Sequence, residues 1–410
     1  MLRSLPKRMV LPIVIVVAIL CVCPAPAQIV KSSDGTPHSK VTILGPRETL
    51  IPDGGAVVEM MRLNNLPNVE AYINGKGPYR LVIDTGAPLL CLNQSVADEL
   101  KLPAPANTGG PIIRISSPGG PGRPAEPREI ESLKIGAAEF RGFQTLASDS
   151  PFSNDFDGVI GLAVFSDCLF TFDYPAGKLR ISRGELPPSD GKEILDYTTS
   201  RAKLIIPVQI DDQTFDFVVD TGASLWFKFP HAATKNGRYL CGPVETAKAR
   251  TIDREIIINT ARLPNTLRVG RHAFEHPYGV VDDVRDMASI GSGALDDFVL
   301  TIDQKNSRLR LARAAENSIV QPPLRAFGFG MRRTADGIKI DYVIPNSPAQ
   351  RAGLKEGDRV VAIADKSIEE IHAQPIMKEL VKQDSIKVRY TPANETQERE
   401  IEVPMCVLIP

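Results

Sequence analysis

Short apolar stretches broken by turn residues recur along the chain, and two of them repeat each other. The first begins at Val69 and reads Val69-Glu70-Ala71-Tyr72-Ile73, then Asn74-Gly75, then Tyr79-Arg80-Leu81-Val82-Ile83, ending in Asp84-Thr85-Gly86-Ala87. The second begins at Ile206 and reads Ile206-Pro207-Val208-Gln209-Ile210, then Asp211-Asp212, then Phe215-Asp216-Phe217-Val218-Val219, ending in Asp220-Thr221-Gly222-Ala223. Alternation of period two on either side of a tight polar turn predicts a β-hairpin in each case. Two later matches follow. Leu133-Lys134-Ile135-Gly136 corresponds to Leu267-Arg268-Val269-Gly270. Val159-Ile160-Gly161-Leu162, with Phe170-Thr171-Phe172-Asp173, corresponds to Ser289-Ile290-Gly291-Ser292, with Leu300-Thr301-Ile302-Asp303. The offsets of 136, 134 and 130 residues are nearly constant, so one mostly β unit is used twice. Two copies are too few for a solenoid and predict two lobes facing each other.

Helical periodicity is weak throughout these units. The fold class expected is therefore mostly β, with two pseudo-symmetric lobes and a smaller α+β module after them. The predicted boundaries are a lead-in segment at 28–62, lobe 1 at 63–185 and a Pro/Ser/Gly-rich linker at 186–200. Lobe 2 follows at 201–315, a second linker at 316–324 and the last module at 325–405. The lead-in shows no clear pattern and is read as a strand or a loose arm.

The chain has 410 residues, 43% hydrophobic and 24% charged, with 31 Gly and 34 Pro. Such a chain can bury a sizeable core and is neither disordered nor coiled-coil. A formal net charge of −1 excludes the basic surface of a nucleic-acid binder. Arg3, Lys7 and Arg8 precede an apolar run from Met9 to Val22, and Ala25-x-Ala27 offers small residues for cleavage. Residues 1–27 thus read as a secretory signal peptide, with export to a periplasmic or extracellular space and no membrane span after cleavage. The lesser alternative is a retained N-terminal anchor. Cys91, Cys168, Cys241 and Cys406 would remain, and their pairing is open between disulfides and buried thiols. His272 and His276 are close in sequence but lack a third ligand, so no metal and no cofactor is expected.

The two Asp-Thr-Gly triplets are the candidate chemistry. Asp is common in turns after strands, but Asp84 and Asp220 close runs that are buried by pattern, where a lone carboxylate is costly. Duplication supplies each with a partner. Two carboxylates held close across a pseudo-twofold axis cannot both ionise cheaply and share one proton. The ionised one can draw a proton from water while the protonated one donates to a peptide carbonyl. Gly86 and Gly222 let backbone pass close by, and Thr85 and Thr221 offer hydroxyls that tie the loops together.

Residues 63–314 resemble the aspartic protease family, nearer its retropepsin-like branch in a single-chain, two-lobed form. The resemblance implies that Asp84 and Asp220 are the catalytic pair and that Thr85 and Thr221 grip the opposite loop. It also implies that Val159-Ile160-Gly161 and Ser289-Ile290-Gly291 pack behind the loops. Pro88 and Ser224 depart from it, standing where retropepsins use an aspartate that helps hold substrate backbone. A flap hairpin is expected at 112–131, turning around 118–122 and lacking the pepsin-type tyrosine, with a less clear counterpart near 255–267. The implied activity is aspartic endopeptidase on protein or peptide substrates, by a monomer, since each chain holds both triplets. The rival is a protease-shaped scaffold without turnover that works as a peptide binder.

From Arg325 the pattern changes to an alternating strand at 337–343, a capped turn Ser347-Pro348-Ala349 ending at Gly353, a strand around 359–363 and a helix at 372–381. This order resembles a PDZ domain of the bacterial protease-associated kind. The resemblance implies a loop, here Arg325, Ala326, Phe327, Gly328 and Phe329, that offers backbone N–H groups to a peptide C-terminus, with the peptide added as a strand. Simple packing of the PDZ fold on the lobes is the alternative.

Overall fold

The computed structural model describes residues 45–106, 113–117, 120–149, 155–200, 202–251, 253–282, 287–334, 336–367, 380 and 382–410. The leader at 1–27, the first part of the lead-in and, apart from Leu380, the helix expected at 372–381 lie outside the described residues. Among the described residues no helix is long and apolar enough to cross a membrane.

Both expected hairpins form. Strand Leu66–Ile73 pairs antiparallel with Lys76–Ile83, and Lys203–Ile210 with Gln213–Asp220. Asn74 and Asp211 turn the two chains at positive φ, a conformation that short polar side chains tolerate. The inward-facing residues Val69, Ala71, Leu81, Ile206, Val208 and Phe217 are fully buried, so alternation sets the register as period-two patterning requires. Among the described residues lobe 1 forms a nine-stranded sheet and lobe 2 an eleven-stranded one.

A third sheet joins the lobes. Strand Leu169–Asp173 of lobe 1 pairs antiparallel with Phe298–Asp303 of lobe 2, with Thr171 opposite Thr301. Their hydroxyls lie 3.0 Å apart, on the pseudo-twofold axis that relates the two halves. On each side follow Lys178–Ser182 and Arg308–Arg313, so equivalent strands from the two copies sit symmetrically in one six-stranded sheet. Phe170, Phe172, Leu300 and Ile302 are fully buried there, in the core that both lobes share.

The lead-in is not loose where it is described. Ala56–Glu59 extends the joining sheet, Glu48–Leu50 pairs with Ala138–Ser148, and Met61–Leu63 pairs with Leu66–Ile73. Three-to-four-residue strands are too short for a period to show in the sequence. The linker read at 186–200 likewise contributes Ile194–Asp196 and Thr198–Ser200 as edge strands. No disulfide joins the four cysteines, and Cys91 and Cys168 are buried among apolar side chains.

The last module has a sheet of its own, ordered Phe329–Thr334, Gly337–Val343, Arg359–Ile363, Ser385–Thr391 and Arg399–Pro404, around a separate apolar core. Helix Pro348–Arg351 is capped by Ser347, which accepts from the Gln350 amide, and Gly353 ends it at φ +92°. Beyond 405, Cys406–Ile409 returns to pair with Leu324–Ala326. Leu324 and Ile409 sit in the core of the lobes, so the chain's last strand fastens this module to the protease unit.

Replacing Phe172 by alanine empties part of the joining sheet. It should cost about 3–5 kcal/mol of unfolding free energy by urea denaturation, with a single transition in which both lobes are lost together.

Candidate active site

Each Asp-Thr-Gly sits where a hairpin strand leaves the sheet. In lobe 1, Gly158–Ile160 runs parallel to Lys76–Ile83, and the Asp84 amide donates to the Ile160 carbonyl at 3.0 Å. In lobe 2, Ala288–Gly291 runs parallel to Gln213–Asp220 in the same arrangement. Gly161 and Gly291 follow these crossing strands. A side chain on Gly161 would strike the backbone of Ala87 and Leu89, and one on Gly291 the backbone of Ala223 and Leu225. The loops therefore close tightly behind both aspartates, with Leu162 and Ser292 amides donating to the Ala87 and Ala223 carbonyls at 2.9 and 2.8 Å.

The two loops then hold each other. Thr85 Oγ1 donates to the Val219 carbonyl at 2.6 Å and accepts from the Thr221 amide at 3.0 Å. Thr221 Oγ1 donates to the Ile83 carbonyl at 2.7 Å and accepts from the Thr85 amide at 3.0 Å. All four bonds are buried, so none can be exchanged for water without loss. Ser292 Oγ adds a fifth bond, donating to the Thr221 carbonyl at 2.6 Å.

This reciprocal grip brings Asp84 and Asp220 face to face at 1% and 0% exposure. A Cβ on Gly86 would come within 2.8 Å of Asp220 Oδ1, and one on Gly222 would land on the Asp84 carboxyl. Only glycine lets the carboxylate of one lobe pass against the backbone of the other. The Gly86 amide donates to Asp84 Oδ1 at 2.7 Å, while Asp84 Oδ2 and both Asp220 oxygens have no protein hydrogen-bond partner. Burial, and then the negative charge of Asp220, push Asp84 well above the usual carboxylate range; burial also raises Asp220, opposed by Lys203.

Two hairpins, together called the roof, share apolar clusters with the aspartate loops, the first through Ile115 and Ala125 with Ala87 and the second through Ala247 and Ala249 with Leu225. The first, from Ile113–Ile115 and the start of Arg123–Ile135, forms as expected. The second is displaced from the expectation at 255–267: its arms are Cys241–Arg250 and Glu255–Arg262. The outgoing arm escaped notice because two bulges break its alternation. Asp253, at the tip of the second, accepts from the Gly122 amide at 2.7 Å and from Ser117 Oγ, both on the first. Desolvation opposes ionisation of Asp253, but the bonds from Ser117 and Gly122 outweigh it and hold the carboxyl below its usual range. No residue pattern marks this aspartate, which in sequence is one more polar turn. Beside Ser224, between the Asp220 loop and the second hairpin, lies a small, largely apolar pocket of about 30 Å³ lined by Trp226, Thr246, Tyr278, Val280 and Leu324. Ser224 Oγ has no partner, and its carbonyl accepts from Asn65 at 3.3 Å.

In the last module, Phe327 and Phe329 of the predicted peptide-binding loop are buried in that domain's core and can act only through their backbone. Gly328 takes φ +90°, and its carbonyl accepts from the Ile344 amide and Ser347 Oγ, which fixes the loop. Arg325 is turned to Asp384 at 3.0 Å, and the Ala326 carbonyl accepts from Cys406 Sγ. Phe329–Thr334 is an edge strand of its sheet. Lys248, on the second roof hairpin, donates to the Asp341 carbonyl at 3.0 Å and lies 3.5 Å from Glu356 Oε2, so this module rests against that hairpin. His272 and His276 both bond to backbone carbonyls, of Leu311 and Pro264.

Two outcomes follow. Asp253→Ala removes a charge-assisted bond across the roof, and the Gly122 amide should then exchange with deuterium at least about tenfold faster, read by hydrogen-exchange mass spectrometry. Because both dyad carboxyls titrate higher when folded, their contribution to stability is full below about pH 4 and is lost as pH rises through the folded values. Asp84→Asn should therefore raise the thermal midpoint at pH 8 and leave it nearly unchanged at pH 4.

The aspartyl protease family matches residues 69–164 and again 206–303, one copy per lobe, and the PDZ domain family matches residues 339–380. Over 89 residues, 20% of this chain, it is 38% identical to PDZ domain-containing protein 11 of Homo sapiens and of Bos taurus, spanning 63% of each. The same protein of Danio rerio is 37% identical over 98 residues, 22% of this chain and 68% of the relative. Taken with the paired Asp-Thr-Gly loops, these matches show that the chain belongs to the aspartyl protease family, in a two-lobed single-chain form with a PDZ domain after the second lobe.

Proposed function

We propose that this protein is an exported aspartic endopeptidase in which Asp84 and Asp220 act as one site, with the PDZ domain binding substrate or partner peptides. The observation that carries the reading is the crosswise packing of each aspartate on the glycine of the opposite loop, with three buried carboxyl oxygens left unpartnered; a water and a peptide bond would have to meet in a space opened beside them. In that space the ionised carboxyl takes a proton from water as the water attacks the peptide carbonyl. The protonated carboxyl donates to the carbonyl oxygen, and the pair then returns a proton to the departing amine nitrogen. No covalent intermediate is needed. The roof clasped by Asp253 must part for a polypeptide to enter and then sequester it from bulk water.

Export rests on the basic start, the apolar run and Ala25-x-Ala27. Peptide binding by the PDZ domain rests on its ordered loop at Gly328 and on the edge position of Phe329–Thr334, where an added strand would find main-chain partners. Pro88 and Ser224, which offer no carboxylate to substrate backbone, favour the second reading, a scaffold that binds peptides without cutting them.

Incubating the chain from residue 28 with a mixed peptide library between pH 3 and 8, and reading new termini by mass spectrometry, separates the two. Cleavage is expected, with kcat/KM reduced about a thousandfold or more in Asp84→Asn and Asp220→Asn. Equal inertness of wild type and Asp84→Asn, with peptides still bound, sinks the peptidase and leaves the scaffold.

A further inference from the structure

The two lobes differ at one position that looks across at the aspartates. In lobe 2 the hairpin register pairs Ile205 with Val218, and two residues further along it sets Lys203 across from Asp220. In lobe 1 the register pairs Asn68 with Val82, which sets Leu66 across from Asp84. Residues opposed in this way share a face of the sheet. Leu66 is fully buried, as the pattern demands. Lys203 is 6% exposed, a place where an ammonium is costly unless a negative charge compensates it. Among the described residues no carboxylate forms a direct ion pair with it. The hairpin register puts the Asp84–Asp220 pair on the face that Lys203 shares, and the Lys203 charge lowers both carboxyls against the burial that raises them.

Other charges near the pair are already satisfied or distant. Arg62 is bound to Asp296 and lies over Tyr174, and its Nη2 reaches the Ser292 carbonyl on the far side of the grip. Lys228 pairs with Asp282. Arg268, on the strand beside Lys203–Ile210, stands opposite Gln209 at the far end and is exposed. Arg114, Asp253 and Arg254 belong to the roof, where Arg114 and Asp253 bond to roof backbone. The strand Thr198–Ser200, paired with the Lys203 end, carries no ionisable side chain.

We propose that Lys203 is a positioning residue for the dyad: its buried ammonium breaks the twofold symmetry, holding the single negative charge on Asp220 and leaving the shared proton on Asp84. Asp220 is then the base toward water and Asp84 the acid toward the carbonyl. This assignment deepens the peptidase reading and rests on it for its catalytic meaning. A cation beside the pair also favours the charged form, so ionisation begins at lower pH than it would with leucine at both positions.

The test is titration of the aspartate carboxyl carbons by NMR in protein labelled with ¹³C at aspartate, alongside pH profiles of kcat/KM. Asp84→Asn and Asp220→Asn assign the two signals. In wild type the first ionisation should fall mainly on Asp220. Lys203→Leu, which copies lobe 1, should move that ionisation and the acidic limb of the profile upward by about one pH unit and spread it over both carboxyls. Lys203→Arg should behave as wild type, and Lys203→Met stands in if leucine disturbs packing. Identical titrations in wild type and the neutral variants overturn the inference, as does a change confined to KM, which would mark Lys203 as a substrate contact. A shifted titration with no cleavage by wild type at any pH sustains the inference and overturns the peptidase reading instead.

Discussion

Four buried hydrogen bonds exchanged between Thr85 and Thr221 are the constraint on which the centre of this molecule depends. Each threonine uses its hydroxyl as donor to the strand that ends at the other aspartate and as acceptor from the other threonine's amide. The exchange fixes the two loops in the one position where Asp84 and Asp220 oppose each other. A single such bond contributes about 1 kcal/mol, but breaking either partner would strand a buried donor and acceptor at once. Position of the carboxyls is thus decided by backbone, and the carboxyls themselves remain free to hold a proton.

That arrangement is paid for by symmetry. The joining sheet places Thr171 against Thr301, and every strand outward from that point has its equivalent on the other side. Because the two lobes share one core, neither can shift without disturbing the other's loop. Asymmetry enters where function would use it: Lys203 against Leu66, Asp253 clasping the other lobe's hairpin, and a PDZ domain that meets the second hairpin through Lys248. One hairpin therefore lies between the cleft pocket on one side and the PDZ sheet on the other, with Thr246 and Leu324 lining both spaces. The hairpin touches the PDZ domain directly through Lys248, at the Asp341 carbonyl and Glu356.

Much of this was legible before any coordinates. A carboxylate closing an apolar strand is expensive, and finding the same expense twice at a constant offset points to a pair. The hairpins before each aspartate, the crossing strands before Gly161 and Gly291, and the Ser347 cap all follow from local pattern. The strands of the lead-in did not show, because Glu48–Leu50, Ala56–Glu59 and Met61–Leu63 are shorter than any period. Cys241–Arg250 did not show because its bulges shift the face of its side chains midway. Lys203 was visible in principle: laying the two copies side by side sets it against Leu66, a lysine where the duplicate has a buried leucine.

By itself the sequence determined the kind of molecule this is: a duplicated β unit with one acidic side chain per copy, followed by a PDZ module. Hydrophobic period and turn chemistry act over a few residues, and duplication is a relation within the sequence, so both can be read along the chain. Only the tertiary structure decided that the two acids meet, that Asp253 reaches across the roof, and that the last strand returns to the lobes' core. Those contacts join residues more than 130 positions apart, and their geometry is set by how the two sheets pack, which no local pattern encodes.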